Sequence, residues 1–163
     1  MKESINNALI LNLVIVFLFI FLILFAGSTA YTKAFKVKNR IISIIEKRET
    51  TVLTKGFKAG NDSVLSEIES TLADTGYRVE LNVSQKCNDA MKKRFKNTNY
   101  TYNVVDTGTS TYNYCIAEFH DASSPMQGRY YAVITYMYFE IPLIGKTLEF
   151  PVYGETKTLG LSY

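Results

Sequence analysis

The side chains in this sequence that could do chemistry fall in three places. His120 is the one histidine, and it stands in the run Glu118-Phe119-His120-Asp121. Carboxylates on both sides of an imidazole can hold a divalent cation when a fold turns all three inward. Ligands packed this closely at a strand end are more often a solvated turn, and a solvated turn is the expectation here. Cys87 and Cys115 form the second place. Neither belongs to a Cys-x-x-Cys or a Cys–His arrangement, so zinc binding and thioredoxin-like exchange have no support. Two readings stay open for them: one disulfide in a domain outside the cell, or two buried thiols in a reduced one. The third place is Lys92-Lys93-Arg94-Phe95-Lys96, the densest basic run, with an aromatic inside it. Such a surface can neutralise phosphates and stack on bases, or meet anionic head groups and cell-wall polymers. Its plain alternative is a solvated loop between strands.

Nothing else in the chain resembles a reaction centre. There is no Gly-x-Ser-x-Gly elbow, no His-Glu-x-x-His pair, no phosphate-cradling glycine loop and no dinucleotide fingerprint. The expectation is a non-enzyme that needs no metal and no cofactor. A net charge of +3 is too mild to demand a nucleic-acid partner, which remains open as the weaker expectation.

The elements that would position these residues begin with Leu9–Ala26, LILNLVIVFLFIFLILFA, apolar except for Asn12. With Ala8 and Gly27 it reaches the roughly 20 residues that a bilayer crossing takes, and it has no polar stripe of the kind a soluble helix carries. The expectation is an uncleaved anchor, residues 1–30. Ser28-Thr29-Ala30 would also suit a signal-peptide cut before Tyr31, but the apolar run is longer than such peptides carry. Orientation signals conflict. Lys33, Lys36, Lys38 and Arg40 favour a cytosolic domain by the positive-inside rule. The cysteine pair and a Tyr-, Thr- and Asn-rich strand region favour an extracellular one, and this second reading is preferred.

Residues 31–60 read as an amphipathic helix and linker. Ala34, Val37, Ile41, Ile44 and Ile45 recur at helical steps, leaving Lys36, Lys38, Arg40, Lys47 and Arg48 for the surface. One helix from about Ile5 to Glu49 would be roughly 68 Å long. The segment TTVLTKGFKAG reads as a connection. Residues 61–163 then form an α+β domain. A second helix is capped by Asn61 or Asp62, buries Val64, Leu65, Ile68 and Leu72, stops at Gly76 and leaves Glu67 and Glu69 to water. Beyond Gly76 the period changes to two, predicting a strand through Tyr77, Val79, Leu81 and Val83. Further strands follow at Tyr100–Val104 and at Tyr112–Ile116, with Cys115 on the opposite face. The longest is Tyr130–Ile141, and Leu148–Val152 returns. Short links between sequential strands predict an antiparallel meander with one face covered by helix.

The sequence VITYMYFEIPLIGKTLEFPVYGETKTL, with Phe139, Ile141, Pro142 and Gly145 at its turn, resembles the ending of TadE/TadG-like pseudopilins of tight-adherence pili. Tyr31 and Asn39-Arg40-Ile41 occupy the places where such proteins carry an aromatic and a basic-plus-apolar helix. The resemblance implies a pilin-like fold and a non-catalytic structural subunit of a bacterial pilus or secretion assembly. Its partners would be the membrane, other subunits of the assembly and further copies of itself, with Asn12 hydrogen-bonding between helices. No glycine precedes the apolar run and Glu3 is the nearest acid, so a minor, uncleaved component is implied rather than a major pilin. The rival expectation is a stand-alone, membrane-tethered extracellular module that contacts polyanions through Lys92, Lys93, Arg94 and Lys96.

Overall fold

The computed structural model describes residues 2–57, 63–73, 75, 83–94, 100–106, 114–121, 129–140 and 147–160. Helix α1 spans Lys2–Lys47 and α2 spans Glu49–Lys55, with α3 at Val64–Ala73 and α4 at Val83–Arg94. The strands are β1 (Tyr100–Asp106), β2 (Tyr114–Asp121), β3 (Arg129–Glu140) and β4 (Thr147–Glu155). They form one antiparallel sheet in the order β1-β2-β3-β4. The chain is therefore α+β, a long helix and shorter ones around a meander.

Helix α1 passes through Gly27 and Ser28 without a break. Thr29 and Thr32 donate their hydroxyls back to the carbonyls of Phe25 and Ser28, both at 2.9 Å, so these two hydroxyls are paired within the helix. Among the described residues α1 is the one helix long and apolar enough to cross a membrane. Leu9–Leu11, Leu13–Leu22, Leu24 and Phe25 are all exposed in the isolated chain. That band of apolar surface is far larger than a water-soluble protein keeps uncovered.

The upper half of α1 behaves differently. Ala34, Val37, Ile41, Ile44 and Ile45 are buried, and Thr135 Oγ1 of β3 donates to the Ala34 carbonyl at 3.0 Å. One core collects these residues with Val52 and Phe57, with Val64, Ile68 and Leu72 of α3, and with Tyr114, Ile116, Tyr131, Val133 and Val152 of the sheet. Leu159 completes it from beyond β4. There the chain bulges: Thr156 N donates to the Tyr131 carbonyl at 2.9 Å and Thr156 Oγ1 accepts from Tyr131 N at 3.0 Å. Past the bulge, Lys157 N donates to Glu46 at 2.8 Å and Gly160 N to Glu49 at 3.1 Å, tying the last described residues to the top of α1 and to α2.

Several expectations are corrected. The helix breaks at Arg48, and TTVLTK continues in α2 because Val52 has a core to enter. Ser63 caps α3, accepting from Ser66 N at 3.0 Å, whereas Asn61, Asp62, Gly76 and the strand expected from Tyr77 lie outside the described residues, apart from Val83. Val83 opens α4 instead of closing a strand. Lys38 is buried rather than at the surface. Its stem crosses β4, its Nζ stands 4.1 Å from the Phe35 ring centroid, and burial lowers its pKa. Arg48 and Glu67 are only partly exposed, pairing at 2.7 Å between the end of α1 and α3. Both sheet faces carry helix, α1 on one and α4 on the other, where one covered face was expected.

Candidate functional site

On the second face of the sheet, Cys115, Ala117 and Phe119 of β2 alternate with the residues that enter the α1 core. Ala132, Ile134 and Tyr136 of β3 join them, and Cys87 and Met91 of α4 close over the cluster. Cys87 and Cys115 are bonded to each other, with 5.7 Å between their Cα atoms. Among the described side chains of α4, Cys87 and Met91 are the buried ones, and this bond fixes the helix covalently to β2.

The disulfide sets the position of the last turn of α4, which carries Lys92, Lys93 and Arg94, all exposed. These residues are helical rather than part of a loop between strands, and Lys96 lies outside the described residues. Against this turn runs β4. Asp89, Ala90, Lys93 and Arg94 on one side and Pro151 and Tyr153 on the other enclose an open groove of about 400 Å³. Arg94 bridges it, with Cζ 5.0 Å from the Tyr153 ring centroid and Nη2 3.8 Å from Glu155. The arrangement offers cationic side chains and an aromatic face, which suits an anionic or planar ligand, and it offers no nucleophile beside a base.

The remaining candidates are dispersed. Glu118 and His120 lie within β2 rather than in a turn, and Glu118 accepts from Arg129 Nη1 at 3.0 Å. Among the described residues no three His, Cys, Asp or Glu side chains gather where they could hold a metal ion. Asn12 is exposed on the apolar half of α1, at the far end of the molecule from the α4 groove, so the structure does not bring it together with the basic residues. No protein-family model, curated protein or solved structure matches this chain.

Sequence reasoning missed α4 itself, and with it the groove. The signal was present, since Cys87, Ala90 and Met91 follow helical steps. It was masked by the charge of Lys92-Lys93-Arg94 and by a segment too short for periodicity to dominate. Pro151 and Tyr153 reach the groove only because β4 brings them there, which no local pattern announces.

Proposed function

We propose that this protein is a membrane-anchored structural component of a bacterial pilus or secretion assembly, similar to TadE-like pseudopilins, with its sheet domain outside the cell. The observation that carries the reading is the division of α1. Its first half is apolar on every side and exposed, while its second half is the central helix of the sheet domain. A rigid helix shared between membrane and domain is what a subunit needs to pack laterally in the bilayer and present a folded head above it. Asn12 lies on the exposed apolar half, where a hydrogen bond between helices contributes on average about 0.6 kcal/mol and at most about 2. The Cys87–Cys115 bond supports an oxidising compartment. The role is non-catalytic.

Two measurements test this. A membrane-impermeant thiol reagent on intact cells should label the protein only after reduction, and labelling that requires lysis would place the domain in the cytosol and end the pilus reading. A photo-crosslinker at Leu13 should join the chain to itself or to other subunits with an N-terminal span, and Asn12→Leu should weaken those adducts. Crosslinks to lipid alone would reject a subunit role.

The α4 groove favours a second reading, a tethered module that contacts polyanions such as DNA or wall polymers. Lys93 and Arg94, which line the groove with the Tyr153 ring, and the exposed Lys92 next to them in sequence support it. Binding to single-stranded DNA that collapses with salt would test it.

A further inference from the structure

The height of the β3–β4 hairpin along α1 follows from three contacts. Lys157 donates to Glu46, Gly154 lies beneath Lys38 and Ile42, and Thr135 donates to Ala34. Strand β3 therefore descends toward the apolar half of α1, and β4 climbs back. Thr135 pairs with Val152, and the next pair down on that face is Met137 with Phe150. Two strand residues cover roughly 7 Å, a distance α1 covers in about four to five residues. Phe150 thus stands level with Thr29 and Ala30, about one residue below Tyr31. The helix agrees in part: the shielded stripe of Val37 and Ala34 continues, partly covered, to Ala30, whereas a Cβ at Gly27 would meet nothing within 4 Å.

The side of the molecule is defined as well. Tyr31, Phe35, Lys38 and Ile42 follow at steps of four, three and four and so share one stripe of α1. Lys38 and Ile42 lie over β4, so Tyr31 and Phe35 leave the helix on the β4 side. Their rings stack at 6.1 Å, and Tyr31, Phe35 and Phe150 are 51%, 40% and 48% exposed. Half-open aromatic rings therefore line one side of the domain near its lower end.

With α1 as an anchor, that end falls at the membrane surface. Tyr31 lies five residues beyond Ala26, roughly 7 Å along the helix, and the head-group layer is roughly 5–8 Å thick on each side of the hydrocarbon. Aromatic side chains favour this layer. Lys33 and Lys36 are exposed on α1 just above it, a position that suits anionic head groups, while Glu149 beside Phe150 accepts from the Tyr138 hydroxyl at 3.4 Å.

We propose that the Phe150 part of the β3–β4 hairpin, with Tyr31, rests in the head-group layer of the leaflet from which α1 emerges, with Phe35 just above it. This second contact sets the tilt and rotation of α1, which its apolar length alone does not specify. The inference rests on α1 being a membrane anchor. The chain contains no tryptophan, so single-tryptophan variants report one site each. Full-length Phe150→Trp, Tyr31→Trp and Tyr153→Trp would be placed in phosphatidylcholine–phosphatidylglycerol vesicles whose phosphatidylcholine is brominated near the ester end of its acyl chains. A thiol assay would first confirm that each variant keeps its disulfide. Phe150→Trp should be quenched nearly as strongly as Tyr31→Trp and at least about threefold more than Tyr153→Trp, which sits on the α4 face. Quenching of Tyr31→Trp without Phe150→Trp overturns the inference and leaves the anchor intact. No quenching of Tyr31→Trp overturns the anchor, and the inference with it. Equal quenching of Tyr153→Trp also overturns the inference, since the contact would not then belong to this face.

Discussion

Lys38 of α1 lies directly on Gly154 of β4: a Cβ built on the glycine would stand 2.6 Å from the lysine Cδ and 2.8 Å from Ile42 Cδ1. The glycine is required for space. Its absence of a side chain lets α1 approach β4 closely enough for the Lys38 stem to be buried while Nζ reaches the Phe35 ring. Gly154→Val should therefore cost about 1–3 kcal/mol by overpacking. Gly154→Ala should cost less, because the tips of two side chains can shift. Adding Lys38→Ala to Gly154→Val should recover part of the loss, since the two positions share one contact. Denaturant unfolding in detergent micelles measures all three, and a fully additive double variant would show that the contact does not limit packing.

The Cys87–Cys115 bond closes a loop of 28 residues. On the chain-entropy model such a link contributes about 3–4 kcal/mol. Reduction, or Cys87→Ser with Cys115→Ser, should lower stability by that order. The loss should also be local. Hydrogen exchange should accelerate first in α4, whose buried side chains among the described residues are Cys87 and Met91, while Ile41 and Ile45 of α1 stay protected. Equal acceleration everywhere would mean that α4 and the α1 core unfold as one unit.

Tyr131 is buried in β3 with the Phe57 ring edge-on at 5.2 Å. Burial first, and the Glu118 carboxylate second, push its hydroxyl from 10.0 up to about 12, against the opposing effect of Arg129. The folded chain thus holds this proton more tightly than the unfolded chain does. Tyr131 contributes fully below pH 10, and its contribution is lost as pH rises through about 12. The slope between those values should reach at most about 1.4 kcal/mol per pH unit. Alkaline unfolding of Tyr131→Phe should lack this segment, and an unchanged pH profile would assign the alkaline limb to other groups.

The elements readable from residue order were those with a strong period. Ala34, Val37, Ile41, Ile44 and Ile45 repeat at helical steps and are buried, and alternation placed Tyr114 and Cys115 on opposite faces of β2. What stayed illegible depends on contacts between distant segments. Lys38 reads as a surface charge until β4 presents a glycine beneath it. Glu46 and Glu49 gain their roles only when residues 157–160 return to them, more than a hundred positions later. Leu159 alternates only with Leu161 and Tyr163, a run too short to predict a strand, yet it is fully buried beyond the Thr156 bulge. The candidate groove belongs to this second group. Its basic residues were visible in sequence, but their helical setting and the Tyr153 and Pro151 wall were not.

The groove makes a prediction that separates its cations. Arg94 is engaged with Glu155 and the Tyr153 ring, whereas Lys92 and Lys93 project from the last turn of α4 as exposed charges. If this surface binds polyanions, each lysine that neutralises a phosphate on single-stranded DNA adds about 0.7 to the slope of log K against log salt. Lys92→Gln with Lys93→Gln should therefore flatten that slope by about 1.4 while leaving the fold intact. Arg94→Gln should act differently. It leaves the Glu155 carboxylate unpaired beside the groove, so it should weaken binding by repulsion of the polyanion as well as by the lost charge. Fluorescence titration with oligothymidylate at several salt concentrations distinguishes the two variants. Binding that ignores salt, or no binding at all, would leave the α4 turn as a solvated helix end and the assembly reading without a competitor.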